Sequence, residues 1–433
     1  MLAPAAQRAS LAQSASSRFI YERPVRGDEF LNRTSELRMI FSRLHHGAST
    51  VISGTPRLGK SSLLLKVADE TIQLEYLGEK AKQCLFVFLD LYFISSEYTP
   101  SDFWEEALAS LSAYSPHAAR LVEQAATDGY SNWSLMRLFN QLGQEGPRLV
   151  LLLDQFEWLL THQNFKGPAF FGLLRSLATL TRGLAIVAAS RLRISQMQSW
   201  GVKGQGSSSF NYMTQLRLAP FDEETVAQLL ERAGFDAPDR AFIRRLAGRH
   251  PFELQCMATT LLETTGEEGY VCAAKRFYER IAFHFDELWY SLDNRLRRAL
   301  VILSLLELAK WVQGERFNYQ DIEPGELFGR DLRLLAEEGL AKQIGVKEGP
   351  QNGLLWRGER WSVSRQAFLW WVWDVVIAET RRVLAYSEWL FYKRYRLLLS
   401  DAQWQELLAI VRNAPEWAKY DIGGHSRADK IQA

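Results

Sequence analysis

The chain has 433 residues, with 51 Lys and Arg against 50 Asp and Glu, a formal net charge of +1 and 47% hydrophobic residues. Balanced charge provides no overall field for nucleic acid or anionic lipid, and the length calls for two or three domains around a substantial core. Three cysteines (Cys84, Cys256, Cys272) without paired spacing and seven scattered histidines give neither a disulfide framework nor a metal-binding set, and no apolar stretch reaches membrane-spanning length. A soluble cytoplasmic protein is the expectation.

Residues 1–20 are rich in Ala, Ser and Gln, carry Arg8 and Arg18, and lack the apolar stretch of a signal peptide, so a disordered tail is predicted. His45-His46 precedes the first strand and reads as a surface or helix-end pair. Thr50-Val51-Ile52-Ser53 then predicts a short buried strand, and residues 62–68 predict a helix. Between them lies Gly54-Thr55-Pro56-Arg57-Leu58-Gly59-Lys60-Ser61, a complete GxxxxGK[ST] loop followed by Ser62. Backbone N–H groups of such a loop cradle phosphates, and the helix N-terminus adds partial positive charge. With ATP or ADP as the expected cofactor, Lys60 is predicted to reach the β phosphate and, in ATP, the γ phosphate, and the Ser61 hydroxyl to ligate magnesium.

Residues 83–90 predict a second strand, ending at Asp90. Helices follow over 101–112, with Ser101 as N-cap, and over 131–142. Arg148-Leu149-Val150-Leu151-Leu152-Leu153-Asp154 is apolar at every interior position, which suits a central parallel strand buried on both faces. Its Asp154 emerges at the carboxyl edge, where it can hold Mg2+ through water. A helix over 168–181 with Pro168 in its first turn, a strand over 183–190 and a short strand over 215–218 complete residues 21–220 as a nucleotide-binding domain. Residues 201–209 read as a flexible loop.

Residues 221–292 turn to helix after helix at 3.6-residue spacing, the pattern of a helical lid. Residues 293–373 predict two helices (295–309 and 325–338), a strand over 339–346, a polar turn over 347–353 and returning strand segments at 354–356 and 360–363, an arrangement that suits a winged helix. The aromatic run Phe368-Leu369-Trp370-Trp371-Val372-Trp373 reads as core or interface. Residues 374–433 predict further helices, at 381–399 and 403–411. The first interleaves Tyr386, Trp389 and Tyr395 with Arg382, Lys393 and Arg396, and reads as an amphipathic helix, a partner-docking surface or a nucleic-acid contact.

Four segments, Phe30-Leu31-Asn32-Arg33-Thr34-Ser35-Glu36-Leu37, the glycine-rich loop, Leu151-Leu152-Leu153-Asp154-Gln155-Phe156-Glu157 and Gly248-Arg249-His250-Pro251-Phe252-Glu253-Leu254-Gln255, occur in an order that resembles STAND-type ATPases, signalling relatives of AAA+ and origin-recognition-like ATPases. The resemblance covers roughly residues 24–373 and implies an α/β P-loop core of the ASCE type with a parallel sheet, a helical lid and a winged helix. It implies that Phe30 and Leu31 border the adenine, that Arg33 begins the helix shaping that pocket, that Ser190 is a polar sensor with Arg191 beside it, and that His250 and Pro251 bring the lid to the nucleotide. Asn32 stands where the family has Gly, and Asn tolerates the left-handed backbone region such a turn requires. Arg249 replaces a usual Gly, as a γ-phosphate contact or a solvent-facing side chain.

The position after Asp154, usually Glu in AAA+ proteins, is Gln155, whose amide orients water but cannot take its proton. Glu157 and Asp90 are the candidate bases; a carboxylate in the first turn of a helix is also favoured by the dipole alone. Slow turnover is therefore expected, and an arginine finger from a neighbouring subunit would come from among Arg175, Arg191 and Arg193. Two functions fit: a nucleotide-controlled switch that forms homo-oligomers or binds a protein partner, and a DNA-binding ATPase of origin-recognition or transposition-regulator type. Helix 325–338 would be the DNA reader, but its Arg330 and Arg333 are balanced by Glu326, Asp331, Glu337 and Glu338, which favours the switch.

Overall fold

A computed structural model of the chain describes residues 19–201, 209–264, 269–313, 324–351, 354–372 and 375. The expected loop at 202–208, the tail through residue 18 and the helices expected within 376–433 lie outside the described residues. The chain divides into two compact units, Glu22–Leu218 and a second formed by Ala219 onward together with the residues up to Tyr21.

The first unit is built on five parallel strands: β1 (Ser49–Ser53), β2 (Cys84–Asp90), β3 (Arg148–Asp154), β4 (Leu184–Ser190) and β5 (Met213–Arg217), in the order β2-β3-β4-β1-β5. Every residue of β1 and β4 is buried, and all of β3 beyond the half-buried Arg148. Alternate side chains feed two separate cores, as the period of two in a strand requires. Leu149, Leu151, Leu153, Ile186 and Ala188 face one; Val150, Leu152, Ala185, Val187 and Ala189 face the other. The first core is closed by α4 (Pro100–Tyr114), α5 (Pro116–Thr127), α6 (Asn132–Glu145) and α8 (Pro168–Leu180). The second is closed by α1 (Thr34–His45), α2 (Lys60–Val67) and α3 (Glu70–Leu77). A short α7 (Glu157–Thr161) follows β3, and α9 (Ile194–Gly201) follows β4.

Two local readings shift. The N-cap of α4 is Thr99, not Ser101: its side chain accepts the Asp102 N–H while Asp102 returns the bond, and Pro100 takes the first turn, where its missing N–H costs nothing. Helix α5 has no counterpart among the predicted elements; Ser115 caps it and Pro116 opens it, the signature that α4 also carries.

The second unit contains α10 (Glu223–Arg232), α11 (Ala237–Ala247), α12 (Pro251–Glu263), α13 (Gly269–Ser291), α14 (Asn294–Gln313), α15 (Pro324–Glu337), an antiparallel pair β6 (Ala341–Gln351) and β7 (Leu354–Val363), and α16 (Gln366–Trp371). Phe19 and Ile20 belong here: the Ile20 N–H donates to Gln255 Oε1 at 3.0 Å, and the Phe19 ring packs 6.1 Å from Phe235. The polar stretch 347–353, expected as a turn, is mostly strand, because the ladder runs on to Gln351 opposite Leu354. Phe368, Trp370 and Trp371 are buried, with the Phe368 ring 5.4 Å from Phe285 of α13, so the run from Phe368 to Val372 is core. Among the described residues no helix is long and apolar enough to cross a membrane.

Candidate nucleotide-binding site

The glycine-rich loop leaves β1 and enters α2 at Lys60, with Gly59 as N-cap at φ 94°. A side chain at that φ is strained, so glycine is required. Gly54 is fixed for a different reason: a Cβ there would lie 3.0 Å from the Leu218 carbonyl oxygen and 3.1 Å from Leu58 Cδ1. Arg57 is exposed in the left-handed region at φ 61°, Pro56 is half-buried, and Leu58 seals the loop onto the second core. The Lys60 ammonium donates to the Gly54 and Thr55 carbonyl oxygens, each at 2.8 Å. Thr55 Oγ1 is buried with no hydrogen-bond partner among the described residues. A concave loop closed to side chains, holding a cation and a buried unanswered hydroxyl, fits a phosphate.

Strand β4 lies between β1 and β3, with Ser190 in register with Ser53 and Ala188 with Leu153. The carboxyl ends of β1, β4 and β3 therefore share one edge. There the Ser61 hydroxyl hydrogen-bonds to Asp154, bringing together the two expected magnesium ligands, which are 93 residues apart in a 433-residue sequence. Burial pushes the Asp154 carboxyl above the usual carboxylate range; its bonds from Ser61 and the Gln155 N–H oppose the rise, the neighbouring Asp90 charge adds to it, and Lys60 offsets part. A buried carboxylate under that pressure gains from a cation.

Asp90 ends β2, paired in register with Asp154, and its Oδ1 accepts the Tyr92 N–H at 3.0 Å. Gln155 sits at φ 52°, and its N–H donates to Asp154 Oδ1 at 3.0 Å. Glu157 opens α7, buried to 6% exposure, with Oε2 accepting the Arg191 backbone N–H at 3.3 Å. Ser190 is fully buried and its Oγ accepts the Leu192 N–H at 3.0 Å. Of the other finger candidates, Arg193 precedes α9, where its N–H bonds Gln196 Oε1, and Arg175 is half-buried on α8.

The segment ahead of α1 packs beside the loop. Phe30 lies against the core that holds Leu58 and Leu63, Leu31 is half-buried, and the Val25 N–H donates to Ser62 Oγ at 3.1 Å. Asn32 adopts φ 54° and Arg33 φ 70°, so Asn32 does take the left-handed geometry. Arg33 is the N-cap of α1 and pairs with Glu36 at 2.9 Å.

His250 and Pro251 belong to the second unit, where Pro251 opens α12 and the fully buried His250 ring lies 4.9 Å from His284. Contrary to the expectation of no clustered histidines, His250, Glu253 and His284 bring ligand atoms within 4.8 Å of one another. Packing of α12 on α13 makes the cluster, across a separation that spacing rules do not register. The buried Arg365 guanidinium, however, already bonds Glu253 Oε1, so a divalent cation would meet a second positive charge there.

Sequence spacing named Thr55 as part of the phosphate loop without singling out its hydroxyl, and it missed Trp158. The Trp158 indole N–H donates to Gln155 Oε1 at 3.2 Å, a contact its three-residue spacing at a helix start allows.

No protein-family model and no curated protein matches the sequence. Among solved structures, the chain is similar to the Walker-type ATPase of Pyrococcus abyssi, with a TM-score of 0.51 and 17% identity over 81% of this chain and 98% of that one. The ORC2 protein of Aeropyrum pernix in ADPNP–ADP complexes gives 0.47 and 14% over 84% and 100%, and Drosophila ORC bound to DNA gives 0.38 and 14% over 85% and 98%. Only the first of these scores reaches the range of a shared fold. With the strand order and the loop geometry, it establishes that the chain has the α/β fold of Walker-type P-loop ATPases.

Proposed function

We propose that the chain is a slow ATPase that works as a STAND-like switch, coupling its nucleotide state to self-assembly or partner binding in signalling, regulation or defence. The observation that carries this reading is the convergence of Lys60, Ser61 and Asp154 at one sheet edge. The loop amides and Lys60 would hold the phosphates of ATP or ADP, Phe30 and Leu31 would border the base, and Ser190 with Arg191 would sense the terminal phosphate. Magnesium, held by Ser61 and Asp154, would neutralise charge on the β and γ oxygens. In hydrolysis the water oxygen bonds the γ phosphorus as the bridging bond breaks, and one water proton leaves to a carboxylate, Glu157 or Asp90. Residues 221–292 would act as the lid, with His250 and Pro251, and 293–373 as a winged helix used for contacts between proteins. Calorimetry with Mg·ATP and Mg·ADP tests the reading: heat of binding is expected for the parent and its loss for Lys60→Ala. No heat from the folded parent would overturn it.

Origin-type DNA binding is the second reading. Against it, Arg333 of α15 is paired with Glu359 at 3.2 Å and Arg295 of α14 with Asp331 at 3.2 Å, so neither stands ready for phosphate. Salt-dependent retardation of duplex DNA in a gel would restore it.

A further inference from the structure

We infer that Asp90 is a second carboxylate for the divalent cation, holding it with Asp154 across one of the ion's waters; this rests on the nucleotide reading above. Strands β2 and β3 are parallel and in register, which sets Asp90 opposite Asp154 at the carboxyl edge, one strand spacing of roughly 4.8 Å away. Alternation then decides the face. Leu89 and Leu153 turn into the first core, whereas Phe88 and Leu152 belong to the second. The next residues, Asp90 and Asp154, therefore share the second core's side of the sheet, where α2 packs with Ser61 in its first turn. The surroundings of Asp154 agree: it accepts the Ser61 hydroxyl and feels the charges of both Asp90 and Lys60.

Like charges on neighbouring strands repel, and little here relieves them. Burial first, then the Asp90 charge, pushes the Asp154 carboxyl above its ordinary range, and Lys60 is the smallest of the opposing influences. The Lys60 ammonium is engaged by the Gly54 and Thr55 carbonyl oxygens. Asp90 is exposed, and among the described residues its one hydrogen bond is from the Tyr92 N–H to Oδ1 at 3.0 Å, which leaves Oδ2 for a ligand.

Two acids at a sheet edge are not a site by themselves. Thr55 supplies the independent sign of a ligand: it is 5% exposed, and its Oγ1 has no hydrogen-bond partner among the described residues. A phosphate that answers this hydroxyl brings further negative charge beside Ser61 and the two aspartates. Magnesium takes oxygen ligands and keeps several of its waters. Asp90 stands one strand further from β1 than Asp154 does, so it meets that water shell while Ser61 and Asp154 stand nearer the phosphate loop. The bond to Tyr92 also caps the turn over Leu91–Phe93, a role that asparagine fills equally well. Negative charge is what separates the two roles.

The test follows ADP binding to the full chain by calorimetry, in EDTA and across a series of Mg2+ concentrations. Turnover is not the readout, because Asp90 is also a candidate proton acceptor. Asp90→Asn keeps the turn and removes the charge. It is expected to raise the Mg2+ concentration for half-maximal gain in ADP affinity roughly tenfold or more, the usual cost of losing a group that holds a metal's outer shell. ADP affinity in EDTA should not fall, and Asp90→Glu, which keeps the charge, should recover much of the Mg2+ response. An Mg2+ midpoint unchanged in Asp90→Asn would leave Asp90 as a turn cap and overturn the assignment. An equal fall of ADP affinity in EDTA would overturn it too, as damage to the loop. So would a parent that binds ADP with no response to Mg2+, although the nucleotide reading would then stand. No heat of ADP or ATP binding from the folded parent, with or without Mg2+, would instead fell the nucleotide reading, and this assignment with it.

Discussion

Glu157 commits both carboxylate oxygens to Arg191, Oε2 accepting its backbone N–H at 3.3 Å and Oε1 lying 3.5 Å from its Nε. The carboxylate is buried, whereas the arginine side chain is 49% exposed. Since Arg191 follows the last residue of β4, this contact fastens the turn that leaves the sheet between the phosphate loop and Asp154. Glu157→Gln keeps an acceptor for the Arg191 N–H and discards the charge. We predict a loss of kcat under about tenfold, against the roughly 100- to 10,000-fold that loss of a general base costs. Glu157→Ala should lose more and raise KM as well, because the turn loosens. Steady-state kinetics with calorimetry separates these outcomes. A loss above 100-fold in Glu157→Gln at unchanged affinity would make Glu157 the base.

Gly59→Ala isolates the loop's backbone from its charges. No atom lies within 4 Å of a Cβ at this position, so the effect comes from φ 94° alone. Holding a side chain in that region costs roughly 1–2 kcal/mol, and the loop relaxes away from phosphate-binding geometry instead. The expected result is a fall of tenfold or more in Mg·ATP affinity, since about 1.4 kcal/mol is a factor of ten. The thermal midpoint of the nucleotide-free protein should change little. A melting curve and a binding isotherm on the same sample check both halves.

Asp154 gives a prediction with a pH sign. Its pKa is raised in the folded protein, first by burial, so its ionised form opposes folding. That penalty is absent below the ordinary carboxylate range, near pH 4, and accumulates as pH climbs through it until the raised folded value is passed. Asp154→Asn should therefore melt at higher temperature than the parent at pH 7 without nucleotide, by roughly 2–4 °C per kcal/mol relieved. The advantage should shrink toward zero near pH 4. With Mg·ADP the order should reverse if Asp154 holds the metal as proposed, because the variant then lacks that ligand. An Asp154→Asn midpoint below the parent's at pH 7 would show that Ser61 and Lys60 outweigh burial.

The core of the first unit was legible because its strands are encoded by runs in which nearly every residue is apolar. Leu149 to Leu153 has no other economical reading than a strand covered on both sides, and the glycine-rich loop declares its own strand and helix. The meeting of Ser61 with Asp154 was legible for the same reason, since parallel strands deliver their carboxyl ends to one edge. What escaped depends on contacts that no periodicity encodes. Helix α5 needed the serine-proline start recognised at Ser115 and Pro116. The Glu157–Arg191 bond joins residues 34 positions apart, and the His250–Glu253–His284 cluster joins neighbouring helices whose packing angle is a tertiary outcome. The β6–β7 ladder extends through a stretch whose Gly and Pro argue for a turn, because strand pairing overrides local preference once its ends are fixed.

Arg365 is the ion on which the interior of the second unit depends. It is 1% exposed, bonds the fully buried Glu253, and donates Nε to the Gly339 carbonyl at 3.1 Å and NH2 to the Glu338 carbonyl at 3.4 Å. It thereby joins α12 to the connection between α15 and β6. Arg365→Met retains much of the stem volume but leaves the Glu253 carboxylate buried without its counter-charge. Removing one partner of such a pair costs about 3–5 kcal/mol. Glu253→Leu with Arg365→Met removes both charges and should recover most of that loss, since an apolar replacement of a buried pair is often neutral or better. Urea unfolding of the three variants measures this directly. If the double variant were as unstable as Arg365→Met alone, the guanidinium's bonds to the two backbone carbonyls, rather than the ion pair, would be what holds this interior together.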